Sequence, residues 1–289
     1  MSITGAFRQH FNSNQGEVKD AESKILEFTP SMSSGSVTAG GGSVGNSGTL
    51  ANILCENALM VSGGTDDNTK CTISVWVYPR NTNSNFNTNH TPHTIFSQLD
   101  EDSPGGLFTS GHSFLRITSG GAVQYRFRNF TANQDSGTIT YNQWNHILIS
   151  HQGVQNGTDT THLVVNGSRI ADSGITTGGS TVSDQIIDPD SSFNFCMGFT
   201  ATDDNYTAGT NAYEGAIYQF YLNDEFHDMT QSANIQKFRS SGGNSLDNKD
   251  LPNTDPLVLI TDFDTFTSGR NAPGTIARNR VTTSSLSKP

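Results

Sequence analysis

The sequence predicts an all-β protein: two antiparallel sheets packed as a sandwich, with an N-terminal arm and a C-terminal extension. Three observations predict it. Only 15% of the residues are charged, and uncharged polar residues together with 29 glycines fill much of the chain. Ser, Thr and Asn compete with a helix for backbone hydrogen bonds and Gly costs it entropy, so this composition suits strands joined by turns. Short apolar runs also recur from about residue 52 to 230, divided by Gly, Ser, Asn, Asp and Pro. Within "AVQYRFRN", finally, Val123, Tyr125 and Phe127 alternate with Gln124, Arg126 and Arg128, the period of a half-buried antiparallel strand.

Residues 1–45 form the arm. In it "EVKDAESKILEF" predicts a short helix through Val18, Ala21, Ile25 and Leu26. The tract "SMSSGSVTAGGGSVGNSG" follows, too poor in apolar surface to order itself. The arm is therefore expected to dock onto neighbouring chains, and its removal to leave a folded sandwich that no longer assembles. Residues 46–230 form the sandwich. Its strands are expected in "ALMVSG", "CTISVWVYP" (ended by Pro79), "HTIFSQL", "SFLRIT", "AVQYRFRN", "QWNHILISH", "THLVVNGSRIAD", "FNFCMGFT" and "GAIYQFYLN". Asn166-Gly167 is a type I′ hairpin signal, since both turn positions want positive φ. So many strands with no helix between them imply two stacked sheets. Residues 231–289 read as an extension with one strand, "PLVLITDF", and not as a second domain.

Charge and cysteines narrow the function. A net charge of −11 argues against nucleic acid, which needs clustered Lys and Arg; Arg126 and Arg128 are too few. Cys55, Cys71 and Cys196 are odd in number and lack C-x-x-C spacing, against a disulfide framework or a zinc site. Cys71 and Cys196, inside apolar strands, read as reduced core thiols. No apolar stretch follows a basic start near residue 1, so no signal peptide is expected, and no run approaches a membrane span. The sequons at Asn129, Asn166 and Asn205 read as accidents of an Asn/Thr-rich chain.

Four motifs, in order, carry a family resemblance. They are Trp76 with Pro79, Trp144 with His146, Asn166 with Gly167, and Gly215 with Ile217 and Asn223. Over residues 52–230 the chain resembles the laminin-G-like branch of the concanavalin A-like jelly rolls, which implies a jelly-roll sandwich. Beyond it, "IQKFRSSGGNSLDNKDLPNTDPLVLI" resembles a segment that follows this domain in tailed-phage virion proteins. Lys237, Phe238, Gly242 and Leu246, then Pro256, Leu257 and Leu259, fit it loosely.

Trp144 and His146 raise the question of catalysis. Alternation puts Trp144, His146 and Leu148 on one face of a strand, with Ile147 and Ile149 on the other. That is a central strand buried on both sides, and no Ser or Cys nucleophile motif lies near it in sequence. Glycan hydrolysis needs two carboxylates converging on one bond. Glucanases of the resembled superfamily place theirs at alternate positions of one strand, a pattern absent here. Asp100, Glu101 and Asp102, and Asp262 with Asp264, are the nearest approach and read as solvated loop residues. The family resemblance also implies Ca²⁺ held by loop oxygens, for which the acidic loops at Asp66, Asp67 and Asn68 and at Asp203, Asp204 and Asn205 are the candidates. Both also read as polar turns. Sugar binding wants an aromatic beside polar groups: Tyr206 beside Asp203, Asp204 and Asn205, or Phe86 and His90 in the long loop "NTNSNFNTNHTPH".

The resulting expectation is a non-enzymatic structural protein of a tailed-phage virion: a head decoration, head fibre or tail appendage. It would be made in the host cytoplasm without a signal peptide. Its partners would be other virion proteins and its own copies, with host-surface glycans as a possible target, and neither nucleic acid nor membrane. It would need no cofactor, or Ca²⁺ alone. The alternatives are a free lectin module, calcium-dependent or not, and a divergent glycanase.

Overall fold

The computed structural model describes residues 24–28, 53–56, 70–80, 93–98, 113–127, 130–155, 158–179, 195–198, 200–201, 209–210, 212–252, 258–260, 266–268, 275–279 and 282–289. Among them two antiparallel sheets form the sandwich. The first runs in the order β10 (Ser168–Arg169), β9 (Thr158–Val165), β8 (Asn145–Gln155), β3 (Lys70–Pro79), β15 (Gly215–Asn223), β1 (Leu26–Phe28) and β19 (Thr282–Thr283). Two further strands, β16 (Val258–Ile260) and β17 (Phe266–Ser268), extend it from β15. The second sheet runs β11 (Ile175–Gly179), β7 (Phe130–Gln134), β6 (Val123–Phe127), β5 (Ser113–Ile117), β4 (His93–Gln98), β12 (Phe195–Met197), β2 (Ile53–Glu56) and β18 (Thr275–Asn279). A small ribbon pairs β13 (Thr200–Ala201) with β14 (Gly209–Thr210).

The period-2 pattern aims the side chains. Cys71, Ile73, Val75 and Val77 of β3, Ile147 and Ile149 of β8, and Ile217, Phe220 and Leu222 of β15 meet Leu115, Ile117, Val123, Tyr125 and Ala132 of the second sheet in one buried core. Phe96 and Phe220 stack across it with ring centroids 5.6 Å apart. Cys71 and Cys196 are buried free thiols.

Two backbone positions shape the first sheet. Asn166 (φ 53°) and Gly167 (φ 81°) make the expected hairpin turn. Gly215 has φ 137°, and a Cβ there would lie 2.1 Å from the Tyr78 carbonyl oxygen, which explains the glycine that opens β15. A bulge at Gln219 (φ 55°) shifts the register between Tyr218 and Tyr221. The Gln219 side-chain Nε2 donates to the Leu246 carbonyl (2.9 Å) and to Asn248 Oδ1 (2.8 Å).

Those bonds anchor residues 224–252 over the outer face of the first sheet. Met229, Phe238 and Leu251 pack there on Leu148, Val164, Tyr221 and Leu259 in a second buried cluster. The hydrogen bonds at its base are Thr72 Oγ1 to the Glu225 carbonyl (2.6 Å), His227 N to Ser150 Oγ (2.7 Å) and Met229 N to His162 Nδ1 (2.7 Å). One α-helical turn, α1 (Ser232–Ile235), and one 3-10 turn (Asn248–Asp250) lie in this segment. No helix of the described residues is long and apolar enough to cross a membrane.

The ends of the chain depart from expectation. The helix expected through Ile25 and Leu26 is strand β1, paired with β15 on one side and β19 on the other. Leu26 (1% exposed) and Phe28 (0%) both enter the core, and such burial outweighs a short helix's propensity. Glu27, between them, takes a two-point ion pair from Arg80 at 2.8 and 3.0 Å and a hydrogen bond from Ser284 Oγ. The strand expected in "PLVLITDF" is β16, and the described residues of the extension hold three more: β17 and β19 in the first sheet and β18 in the second. The expected strand "ALMVSG" and the rest of the arm lie outside the described residues, whereas β2, directly before "ALMVSG", was not foreseen.

Candidate functional site

The residues expected from sequence to bind sugar or calcium lie outside the described residues: Asp66, Asp67, Phe86, His90, Asp203, Asp204, Asn205 and Tyr206. So do Asp100, Glu101, Asp102, Asp262 and Asp264. Among the described residues, no three His, Cys, Asp or Glu side chains gather as metal ligands would.

His146 is described, and its setting is that of a packed sheet. It is fully buried, stacks on Trp76 with centroids 4.6 Å apart, and shares a 2.9 Å hydrogen bond between Nε2 and Ser74 Oγ. Sequence reasoning missed Ser74, which arrives across the β3–β8 pairing. The pair has the residue types of a nucleophile and base, yet Ser74 is only 3% exposed and the stack fills the space above the ring. Burial, and then the charge of Arg239, bring the imidazole down to about 3, so it is neutral at neutral pH.

The described surface suited to a ligand is the outer face of the second sheet. Leu115 and Ile117 of β5 point inward, so Phe114 and Arg116 point out; Val123 and Tyr125 of β6 point inward, so Gln124 and Arg126 point out. Register sets Arg116 directly opposite Gln124, and Gln124 opposite Asn133 of β7. Arg126 stands opposite Phe114, diagonal to Arg116. All five side chains are half-buried. Towards β4 and β12 the floor continues into buried Thr94, Ser97 and Cys196, with Ser97 Oγ 3.0 Å from Cys196 Sγ.

Arg116 is held rather than free to sweep. Its guanidinium carbon lies 4.3 Å from the Phe114 ring centroid, and its Nε donates to Gln124 Oε1 at 2.9 Å. Among the described residues, its two terminal nitrogens, the Gln124 Nε2 amide and the Asn133 side-chain amide make no hydrogen bond. Burial, and then the positive charge of Arg126, lower the Arg116 guanidinium to about 10; burial also lowers Arg126. Both arginines remain cationic at neutral pH. The face thus presents fixed, unused donors on a rigid strand ladder, which can bind and orient a polar ligand. Alternation in "AVQYRFRN" was the signal for Gln124 and Arg126; nothing in "SFLRIT" singled out Arg116 before β5 met β6.

No curated protein matches the chain. Among solved structures it is similar to the native heptameric SAP-like pentraxin from Limulus polyphemus, at 12% identity over 73% of this chain and 81% of that one, with a TM-score of 0.43. It is also similar to the CBM40 of the Ruminococcus gnavus IT-sialidase, at 16% identity over 57% of this chain and 80% of that one, with a TM-score of 0.41. A third is the alginate lyase vAL-1 from Chlorella virus, at 10% identity over 72% and 96% of the two chains, with a TM-score of 0.28. Residues 56–224, more than half of the chain, match the laminin G family model described as the concanavalin A-like lectin/glucanases superfamily. With the two-sheet sandwich described above, that match places the chain: it belongs to the concanavalin A-like lectin/glucanases superfamily.

Proposed function

We propose that the chain is a non-catalytic, glycan-recognising structural protein of a tailed-phage virion, displaying its sandwich to the host surface. The observation that carries glycan recognition is the row Arg116, Gln124 and Asn133, whose open donors stand side by side on three paired strands. Sugars are bound by such fixed polar groups with a few apolar contacts. The other outer face offers no comparable surface where residues 224–252 cover it. The absence of catalysis is supported by the burial of Ser74 and His146. The virion setting is supported by the run from Lys237 to Leu259, which resembles the segment following this domain in tailed-phage virion proteins. Its partners there are capsid or tail subunits and further copies of the chain.

A glycan array probed with the full chain, with and without EDTA, tests the binding. Selective binding that survives EDTA is expected, because the sheet-face donors are side chains and need no metal. Binding abolished by EDTA would move the site to the acidic loops at Asp66–Asp67 and Asp203–Asp204 and make the protein a calcium-dependent lectin. A silent array would end the glycan reading. Release of reducing ends from a bound polysaccharide, lost in an Asp100→Ala/Asp102→Ala variant, would make the protein a glycanase instead. Electron microscopy of particles labelled at this chain tests the virion role, and unlabelled particles would refute it.

A further inference from the structure

We propose that the ligand of the second sheet's outer face is an acidic glycan, whose oxyanion (carboxylate or sulfate ester) seats on the Arg116 guanidinium beside Arg126. This rests on the glycan-binding reading above and deepens it.

Three other described arginines supply the comparison. Arg80 is matched by Glu27 through two hydrogen bonds, and Arg169 is matched by Asp172. Arg239 donates to the Gly243 carbonyl and lies over Trp76. Among these four, Arg116 alone has neither a carboxylate nor a backbone carbonyl partner among the described residues: its one hydrogen bond runs from Nε to the side-chain carbonyl of Gln124, although it is half-buried and lies diagonal to a second guanidinium. Arg126 lies diagonal to Arg116 across the β5–β6 pairing, so an anion seated on one guanidinium is also near the other's charge.

The geometry specifies the anion's place. With Nε held by Gln124 and the guanidinium plane set over Phe114, the two terminal nitrogens are the free end of the fork. A planar guanidinium with free donors matches an oxyanion by paired N–H···O bonds, stronger than those to neutral oxygens. The Gln124 Nε2 and Asn133 amides continue the row for about 10 Å, two strand spacings, and can meet ring hydroxyls beyond the acid. A nucleic acid offers oxyanions too, but a net charge of −11 opposes a polyphosphate.

The test measures binding of the full chain to four probes: oligogalacturonate, dextran sulfate, methyl-esterified oligogalacturonate as the neutral counterpart, and single-stranded DNA. Each is repeated with Arg116→Ala and Arg116→Lys. One or both acidic saccharides are expected to bind, the esterified probe at least about tenfold more weakly, with affinity falling as salt rises. The first two arms separate carboxylate from sulfate. Arg116→Ala is expected to cost about tenfold or more. Arg116→Lys keeps the charge and stem, loses the fork, and is expected to fall between, so it decides the matter should the alanine variant unfold. Equal binding of the acidic and esterified probes, DNA as the preferred probe, or acidic binding unmoved by both variants would overturn the proposal. Binding of neutral glycans alone would sink this inference and leave the glycan reading standing, whereas silence from every saccharide would sink both.

Discussion

Trp76 and His146 lie ring over ring, 4.6 Å apart and tilted by 30°, on the outer face of the first sheet, directly opposite each other in the β3–β8 register. Arg239 stands 5.6 Å from the same indole ring, so the histidine is enclosed by aromatic surface and a cation rather than by water or an acid. A protonated ring is disfavoured there on both counts.

This makes the fold acid-sensitive. Burial holds His146 at about 3 and His151 at about 4 in the folded chain, against about 6.5 when unfolded. Above pH 6.5 both states carry neutral rings and the stability is full. Below it the unfolded chain takes up protons that the folded chain refuses, so stability falls until the pH passes the folded values. The slope approaches about 1.4 kcal/mol per pH unit for each histidine. Urea denaturation at pH 7, 6 and 5 is expected to show a falling midpoint, with a shallower fall in a His146→Gln variant. A pH-independent midpoint would contradict the enclosed setting of both rings.

Gly215 is expected to tolerate no side chain. Its φ of 137° and the 2.1 Å approach of the Tyr78 carbonyl to a Cβ act together at the start of β15. Gly215→Ala should cost about 1–3 kcal/mol from backbone strain alone, and more from the clash. Thermal unfolding of this variant beside wild type gives the answer.

The arm divides at β1. Removing residues 1–23 spares Leu26 and Phe28 and is expected to leave thermal stability near wild type. Removing residues 1–45 withdraws both buried side chains, worth about 1.5–3 kcal/mol each, together with the Glu27–Arg80 ion pair. The longer truncation is therefore expected to unfold at a clearly lower temperature, where the sequence suggested an intact sandwich. Equal melting temperatures for the two truncations would refute a core role for β1.

Phe238 holds down the segment over the first sheet. It is fully buried, edge-on to Tyr221 at 5.6 Å. Phe238→Ala should cost about 3–5 kcal/mol and open residues 224–252 to limited proteolysis, while binding at the opposite sheet's outer face persists. Loss of glycan binding without a change in stability would place the ligand on the wrong sheet.

The strand ladder was legible because its signals are local. Alternation in "AVQYRFRN", the Asn166-Gly167 turn and the apolar run of "GAIYQFYLN" each fix a direction or a turn within a few residues. The burial of His146 was legible for the same reason, since Ile147 and Leu148 beside it needed two covered faces. The helical reading of Ile25 and Leu26 failed because a three-residue strand carries almost no periodicity, and β15 supplies the partner that decides it. Three further strands of the extension, β17, β18 and β19, were hidden likewise: each is two to five residues long and exists only against a neighbour from elsewhere in the chain.

By itself the sequence determined an all-β sandwich, the inward and outward residues of its longer strands, and buried free thiols at Cys71 and Cys196. Those properties follow from side-chain chemistry repeated at a fixed period along one strand. Only the tertiary structure decided that Ser74 meets His146, that residues 224–252 cover one outer face, and that Arg116, Gln124 and Asn133 line up on the other. These are relations between strands, and strand register is set by the whole core, not by any one segment.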